Sequence, residues 1–101
     1  MEKNLKAELE INNESVELNP FVEEFLTRTV VGAVSSLKGA ENIRNLELYL
    51  EQGDVKIIVN ENELPLTPFP MDIIANTLTG LVSSLQGVDK IGSLRVKVRA
   101  V

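Results

Sequence analysis

Residues 8–51 lie over residues 56–99 at a constant shift of 48, without a gap, and 13 of the 44 aligned pairs are identical. The identities include Asn12/Asn60, Pro20/Pro68, Phe21/Phe69, Thr29/Thr77, Gly32/Gly80, Ser36/Ser84 and Gly39/Gly87. A match of this length is a repeated supersecondary unit, not a shared loop. A unit of about 45 residues is near the size at which a fold needs a disulfide, a metal or a partner to hold it. The chain has no cysteine and no histidine. Disulfides, thiolate and imidazole metal ligands, and Ser-His or Cys-His nucleophile systems are therefore excluded. The two units are expected to stabilise each other by apolar burial, for which a 44% hydrophobic composition is sufficient.

The periodicities give the content of the unit. Leu5, Ala7, Leu9 and Ile11 alternate with polar residues, the pattern of a strand with one buried face. Asn12-Asn13-Glu14-Ser15 is turn chemistry, and Val16 and Leu18 return the chain as a hairpin. Asn19 then caps and Pro20 opens a helix expected to reach about Lys38, where Gly39 supplies the terminating left-handed residue. Leu46, Leu48 and Leu50 form the next strand's inward face. The second unit repeats these steps: Val55, Ile57 and Val59; a turn at Asn60 to Glu63; and Leu64 and Leu66 on an edge strand marked by Pro65. Thr67 then caps a helix begun by Pro68 and ended by Gly87, and Leu94, Val96, Val98 and Ala100 follow on the last strand. Gln52-Gly53-Asp54 joins the units as a tight turn.

The expected fold is α+β. It is one domain over residues 1–101, built of two repeats (about 5–51 and 53–101) in the order ββαβ-ββαβ. The sheet is six-stranded and largely antiparallel, with two helices on one face and a pseudo-twofold axis. The last strand is basic on its outer face (Arg95, Lys97, Arg99), while the first and third are acidic there (Glu8, Glu10, Glu47, Glu51). Opposite charges favour cross-strand pairing, so the last strand is expected beside an acidic one, the first.

Two features could carry function. Thr29, Gly32 and Ser36, and again Thr77, Gly80 and Ser84, form a small-residue stripe along each helix. Interior helical glycine costs about 1 kcal/mol relative to alanine. The stripe therefore reads either as a helix-packing seam or as the floor of a ligand groove. Phosphate capture does not suit it, because the serines lie towards the negative end of the helix dipole. The helices are also more apolar than one sheet contact requires. Packing of the helices side by side or a self-association surface would account for that, with Val31, Met71 and Ile74 as the candidates for such a surface.

Catalytic residues are not expected, since no nucleotide-loop, calcium-loop or acid–base motif appears. Asp72 with Asn76 is the one acid–amide pair on a helix, and it reads as a solvated face. No metal or cofactor is expected. A net charge of −5 and a lack of aromatics around the basic strand argue against nucleic acid. No apolar segment suits a signal peptide or a membrane span, which suggests a cytoplasmic setting.

The run Glu10 to Val22, with Leu18-Asn19-Pro20-Phe21-Val22 at its end, followed by Val34-Ser35-Ser36-Leu37-Lys38-Gly39, resembles an uncharacterised family of short hypothetical proteins of anaerobic bacteria and archaea. The second unit departs from that pattern with Thr67-Pro68-Phe69-Pro70. The resemblance implies no activity. The residues themselves favour a non-enzymatic protein-interaction or scaffold module that forms a homodimer or binds another protein. The alternative is a small-ligand binding domain using the crevice between the helices.

Overall fold

The computed structural model describes residues 5–37, 42–52, 54–85 and 90–100. The elements run β1 (Leu5–Ile11), β2 (Glu14–Val16), α1 (Pro20–Ser35), β3 (Asn45–Glu51), β4 (Asp54–Val59), β5 (Asn62–Leu64), α2 (Pro68–Ser83) and β6 (Ser93–Ala100). The fold is α+β, with all six strands in one antiparallel sheet ordered β2-β1-β6-β3-β4-β5. Read from the opposite edge, each strand in that order is replaced by its counterpart 48 residues away. The extents of 34 × 32 × 18 Å are those of a slab one sheet and one helix layer thick.

The alternation in the sequence becomes the two faces of the sheet. Leu9, Leu46, Leu48, Ile57, Leu94, Val96 and Val98 are buried on the inner face against Leu26, Val30 and Val34 of α1 and Ile74, Leu78 and Val82 of α2. These helical residues recur at i, i+4 and i+8, one stripe facing the sheet. Ala100, expected inside, is exposed at the end of β6. Thr27 is the buried polar residue among those described, with its hydroxyl donating to the Glu23 carbonyl at 2.7 Å.

The expectation for the last strand holds and extends further. β6 lies beside β1 and also beside β3, inserted between the two acidic strands of the first unit. On the open face Arg95 reaches Glu10 at 3.6 Å and Glu47 at 3.2 Å, Lys97 reaches Glu47 at 3.7 Å, and Arg99 reaches Glu8 at 3.5 Å.

Two asparagines tie the units together. Asn12 and Asn13 have φ of 52° and 67°, and Asn60 and Glu61 have 48° and 72°. Two consecutive positive values define the type I′ turn favoured in two-residue hairpins. In this conformation the Asn12 side-chain oxygen accepts from the Gly92 and Ser93 N–H groups at 2.7 and 3.0 Å, while its amide donates to the Lys90 carbonyl at 2.7 Å. Asn60 does the same for the other unit, accepting from Arg44 and Asn45 at 2.8 and 3.0 Å and donating to Asn42 at 2.9 Å. Each asparagine thus fixes the chain entering the other unit's last strand.

The helix ends differ from expectation. Asn19 accepts from the Val22 N–H at 2.8 Å. Thr67 occupies the equivalent position but makes no side-chain cap bond. The residue matching Val22 is Pro70, which has no N–H to donate. α1 ends at Ser35, short of Lys38, because the Leu37 N–H turns back to the Val34 carbonyl at 3.0 Å and tightens the last turn. β5 stops at Leu64, so Pro65 and Leu66 follow the edge strand instead of lying within it. The readings made for Lys38, Gly39, Gly53 and Gly87 lie outside the described residues.

Candidate functional site

The helix layer is where apolar surface remains uncovered. Each helix packs on the first strand of its own unit, α1 on β1 and α2 on β4. Three strand spacings separate β1 from β4, about 14 Å, whereas close-packed helices lie about 8–10 Å apart. Accordingly the helices touch each other only sparsely. Side-by-side packing therefore does not use up their excess apolar surface.

That surface sits at the same two positions of each helix. Phe21 and its counterpart Phe69 are 73% and 72% exposed, and Phe25 and its counterpart Ile73 are 53% and 47% exposed. Helical geometry explains the position. Phe21 precedes Val30 by nine residues, and at about 100° per residue this places it on the opposite side of the helix. The Phe21 and Phe25 rings pair on the surface with centroids 6.0 Å apart. Beside them Glu24 and Arg28 form an ion pair at 2.7 Å. Asp72 and Asn76 stand at the matching places on α2, both exposed.

The residues chosen from the sequence for this surface need correction. Ile74 is 3% exposed, a core residue aligned with Leu26. Val31 and Met71 are half-buried and pack against the core. The apolar exposure belongs one residue before Ile74, at Ile73, and in the first turns of both helices. The repeat alignment held the signal, because Ile74, Leu78 and Val82 match Leu26, Val30 and Val34.

The small-residue stripe is also corrected. Thr29 is half-buried; Gly32, Ser36, Thr77, Gly80 and Ser84 are exposed. A Cβ built on Gly32 or Gly80 meets nothing within 4 Å among the described residues, so neither glycine makes room there for a close approach. The serine hydroxyls turn back onto their own helices, Ser36 to the Ala33 carbonyl at 2.7 Å and Ser84 to the Gly80 carbonyl at 3.2 Å. Apart from Thr29 the stripe is open helix surface, and among the described residues its two halves are not brought together as a seam or as a groove floor.

Two shallow depressions lie on the other side of the molecule, on the open face of the sheet. One, of about 220 Å³, is lined by residues including Glu10, Tyr49, Glu51 and Arg95. The other, of about 280 Å³, is lined by their counterparts Ile58, Lys97, Arg99 and Glu47. The shift of 48 thus relates the linings residue by residue while the chemistry changes. Both fall below the roughly 300–1,000 Å³ usual for enclosing a small ligand.

Neither a family model, nor a curated protein, nor a solved structure matches the chain.

The charges of the open face are committed to holding strands. Burial acts to raise the Glu47 carboxyl, but hydrogen bonds from Arg95 and Tyr49 and the charges of Lys97 and Arg95 outweigh it and hold the group below its ordinary value. The hydrogen bond to Glu47 raises Arg95, with help from Tyr49 and Glu10. The Arg95 guanidinium also stacks 5.4 Å from the Tyr49 ring centre. Arg95, Lys97 and Arg99 are each paired with glutamate, which suits sheet assembly better than capture of a polyanion. Among the described residues no group of three or more acidic side chains could hold a metal ion, and no helix is long and apolar enough to cross a membrane.

Proposed function

We propose that the protein is a non-enzymatic interaction module that self-associates through the outer face of its helix layer. The observation that carries this reading is the exposure of Phe21, Phe25, Phe69 and Ile73. These four are the large apolar side chains left exposed among the described residues, and they occupy two repeat-related positions. Isolated apolar residues on a surface need no explanation, but repeated, paired ones mark interaction surfaces. The placement of these side chains on the helix sides turned away from the sheet supports the same reading, since among the described residues nothing in the sheet or the neighbouring helix covers them. A cytoplasmic setting is proposed with it, for a chain of net charge −5 that has no cysteine to oxidise.

Light scattering over a concentration series tests the proposal. A dimeric mass, with a melting temperature that rises with protein concentration, is the expected result. A strictly monomeric mass at the highest concentration overturns it.

A further inference from the structure

Resting on the self-association reading, we propose that the partner is a second copy of this chain and that the two copies meet crosswise: the α1 patch of one (Phe21, Phe25) against the α2 patch of the other (Phe69, Ile73), twice.

The area fits such a pairing. Aromatic side chains carry roughly 150–250 Å² each. At exposures of 73%, 53%, 72% and 47%, the four residues together offer on the order of 450 Å² of apolar surface. A stable dimer buries about 800 Å² per partner, somewhat over half of it apolar. Both patches must therefore be covered to reach that size, and an interface built on one patch alone would be too small.

The direction of the helices allows two ways to cover both. β1 and β3 each run antiparallel to β6, and β4 runs antiparallel to β3, so β1 and β4 point in opposite directions. The helices packed on them are likewise opposed, which puts the two apolar first turns at opposite ends of the helix layer. A twofold axis can then match like patches (α1 with α1, α2 with α2) or unlike ones (α1 with α2, both times).

Charge selects the second arrangement. α2 places Asp72 beside its patch, with Asn76 where α1 has Arg28. Matching like patches brings the two Asp72 carboxylates together, with no cation from either α2. Matching unlike patches separates the two Asp72 carboxylates and sets each beside a Glu24–Arg28 pair of the other copy, which carries no net charge. Like-charge contact of this kind is how interfaces reject a wrong register.

Complementation between full-length variants tests this. Phe21→Glu and Phe69→Lys alter residues that are largely exposed, so each variant should fold, and circular dichroism melts verify that it does. Crosswise pairing predicts that each variant alone is largely monomeric, its dissociation constant raised at least tenfold. A one-to-one mixture regains dimers, because one crosswise contact then joins two unaltered patches and the other sets the introduced glutamate against the introduced lysine, so both patches are covered. Dimeric wild type with monomeric variants whose mixture stays monomeric overturns the crosswise arrangement while leaving self-association intact. Variants that remain as dimeric as the wild type overturn it too, and move the interface off these helices. A monomeric wild type removes both this inference and the reading beneath it.

Discussion

Asn12 and Asn60 are the residues on which the assembly turns. Each adopts a left-handed backbone conformation and uses both ends of its amide on the opposite unit. Asparagine suits both demands, being tolerant of positive φ and able to donate and accept. Replacing Asn12 with Ala removes three hydrogen bonds and leaves a Cβ-bearing residue without local support at φ 52°. We expect a loss of about 2–3 kcal/mol by urea denaturation. Asn12→Gly relieves the backbone but not the lost bonds, and should lose about 1–2 kcal/mol. An Asn12→Gly variant as stable as the parent would mean that the amide clamp contributes nothing. Gly32 and Gly80 give the opposite sign. With open space around each, Gly32→Ala and Gly80→Ala should each stabilise the fold by about 0.5–1 kcal/mol, read as a rise of several degrees in Tm. The sequence shows these glycines to be repeated but not which way they face. A seam and a bare surface place the same demand on local spacing, and only the distance to neighbouring elements separates them.

At the level of elements, β6 shows how a charge pattern becomes topology. Its three cations meet carboxylates on both neighbouring strands, and Glu47 collects Arg95, Lys97 and the Tyr49 hydroxyl. A carboxyl depressed in the folded state stabilises the fold at pH values above its unfolded pKa. That stability is lost as the pH falls through the lower, native value. Acid should therefore weaken the fold below about pH 5, starting as the ordinary glutamate range near 4.3 is entered. In Glu47→Gln this part of the decline should be absent, so urea midpoints followed from neutral to acid pH should fall less steeply than in the parent. Equal slopes would show that Glu47 does not couple to folding. Arg95, already charged throughout this range and shifted upwards, adds no slope of its own. Strand content, the boundaries of the four longer strands within one or two residues, and the attraction of β6 to β1 were all legible from alternation and charge; the short return strands β2 and β5 begin inside the segments read as turns and end before Leu18 and Leu66. Its second neighbour, β3, was not. A single strand's outer charges state what it attracts but not how many neighbours it will have. The missing cap on α2 was a subtler loss, since Thr67 looks competent until Pro70 is seen to remove the N–H it would bind.

On the scale of the whole molecule the two units are interleaved. β1 and β3 belong to the first unit, yet β6 of the second stands between them. Residues 1–52 alone would leave the inner faces of β1 and β3 without the strand that joins them, along with the two Asn contacts that bridge the units. This fragment should lack a cooperative melting transition, and circular dichroism should show ordered structure only when residues 53–101 are supplied as well. A stable, monomeric, cooperatively melting 1–52 would contradict interdependence of the halves.

From the residues alone came the repeat, the α+β class, the helix and strand identities, and the sign of the charge between strands. All of these depend on local spacing or on pairwise attraction, which a linear pattern records. Tertiary structure decided which side of each helix meets the sheet, and so which apolar residues stay in water, a choice of which the repeat alignment held only the trace. Leu26 and Phe25, or Ile74 and Ile73, are adjacent in the chain and alike in hydropathy, and one enters the core while the other does not. That outcome depends on the rotation at which each helix meets the sheet, a quantity that exists only once the units have packed together.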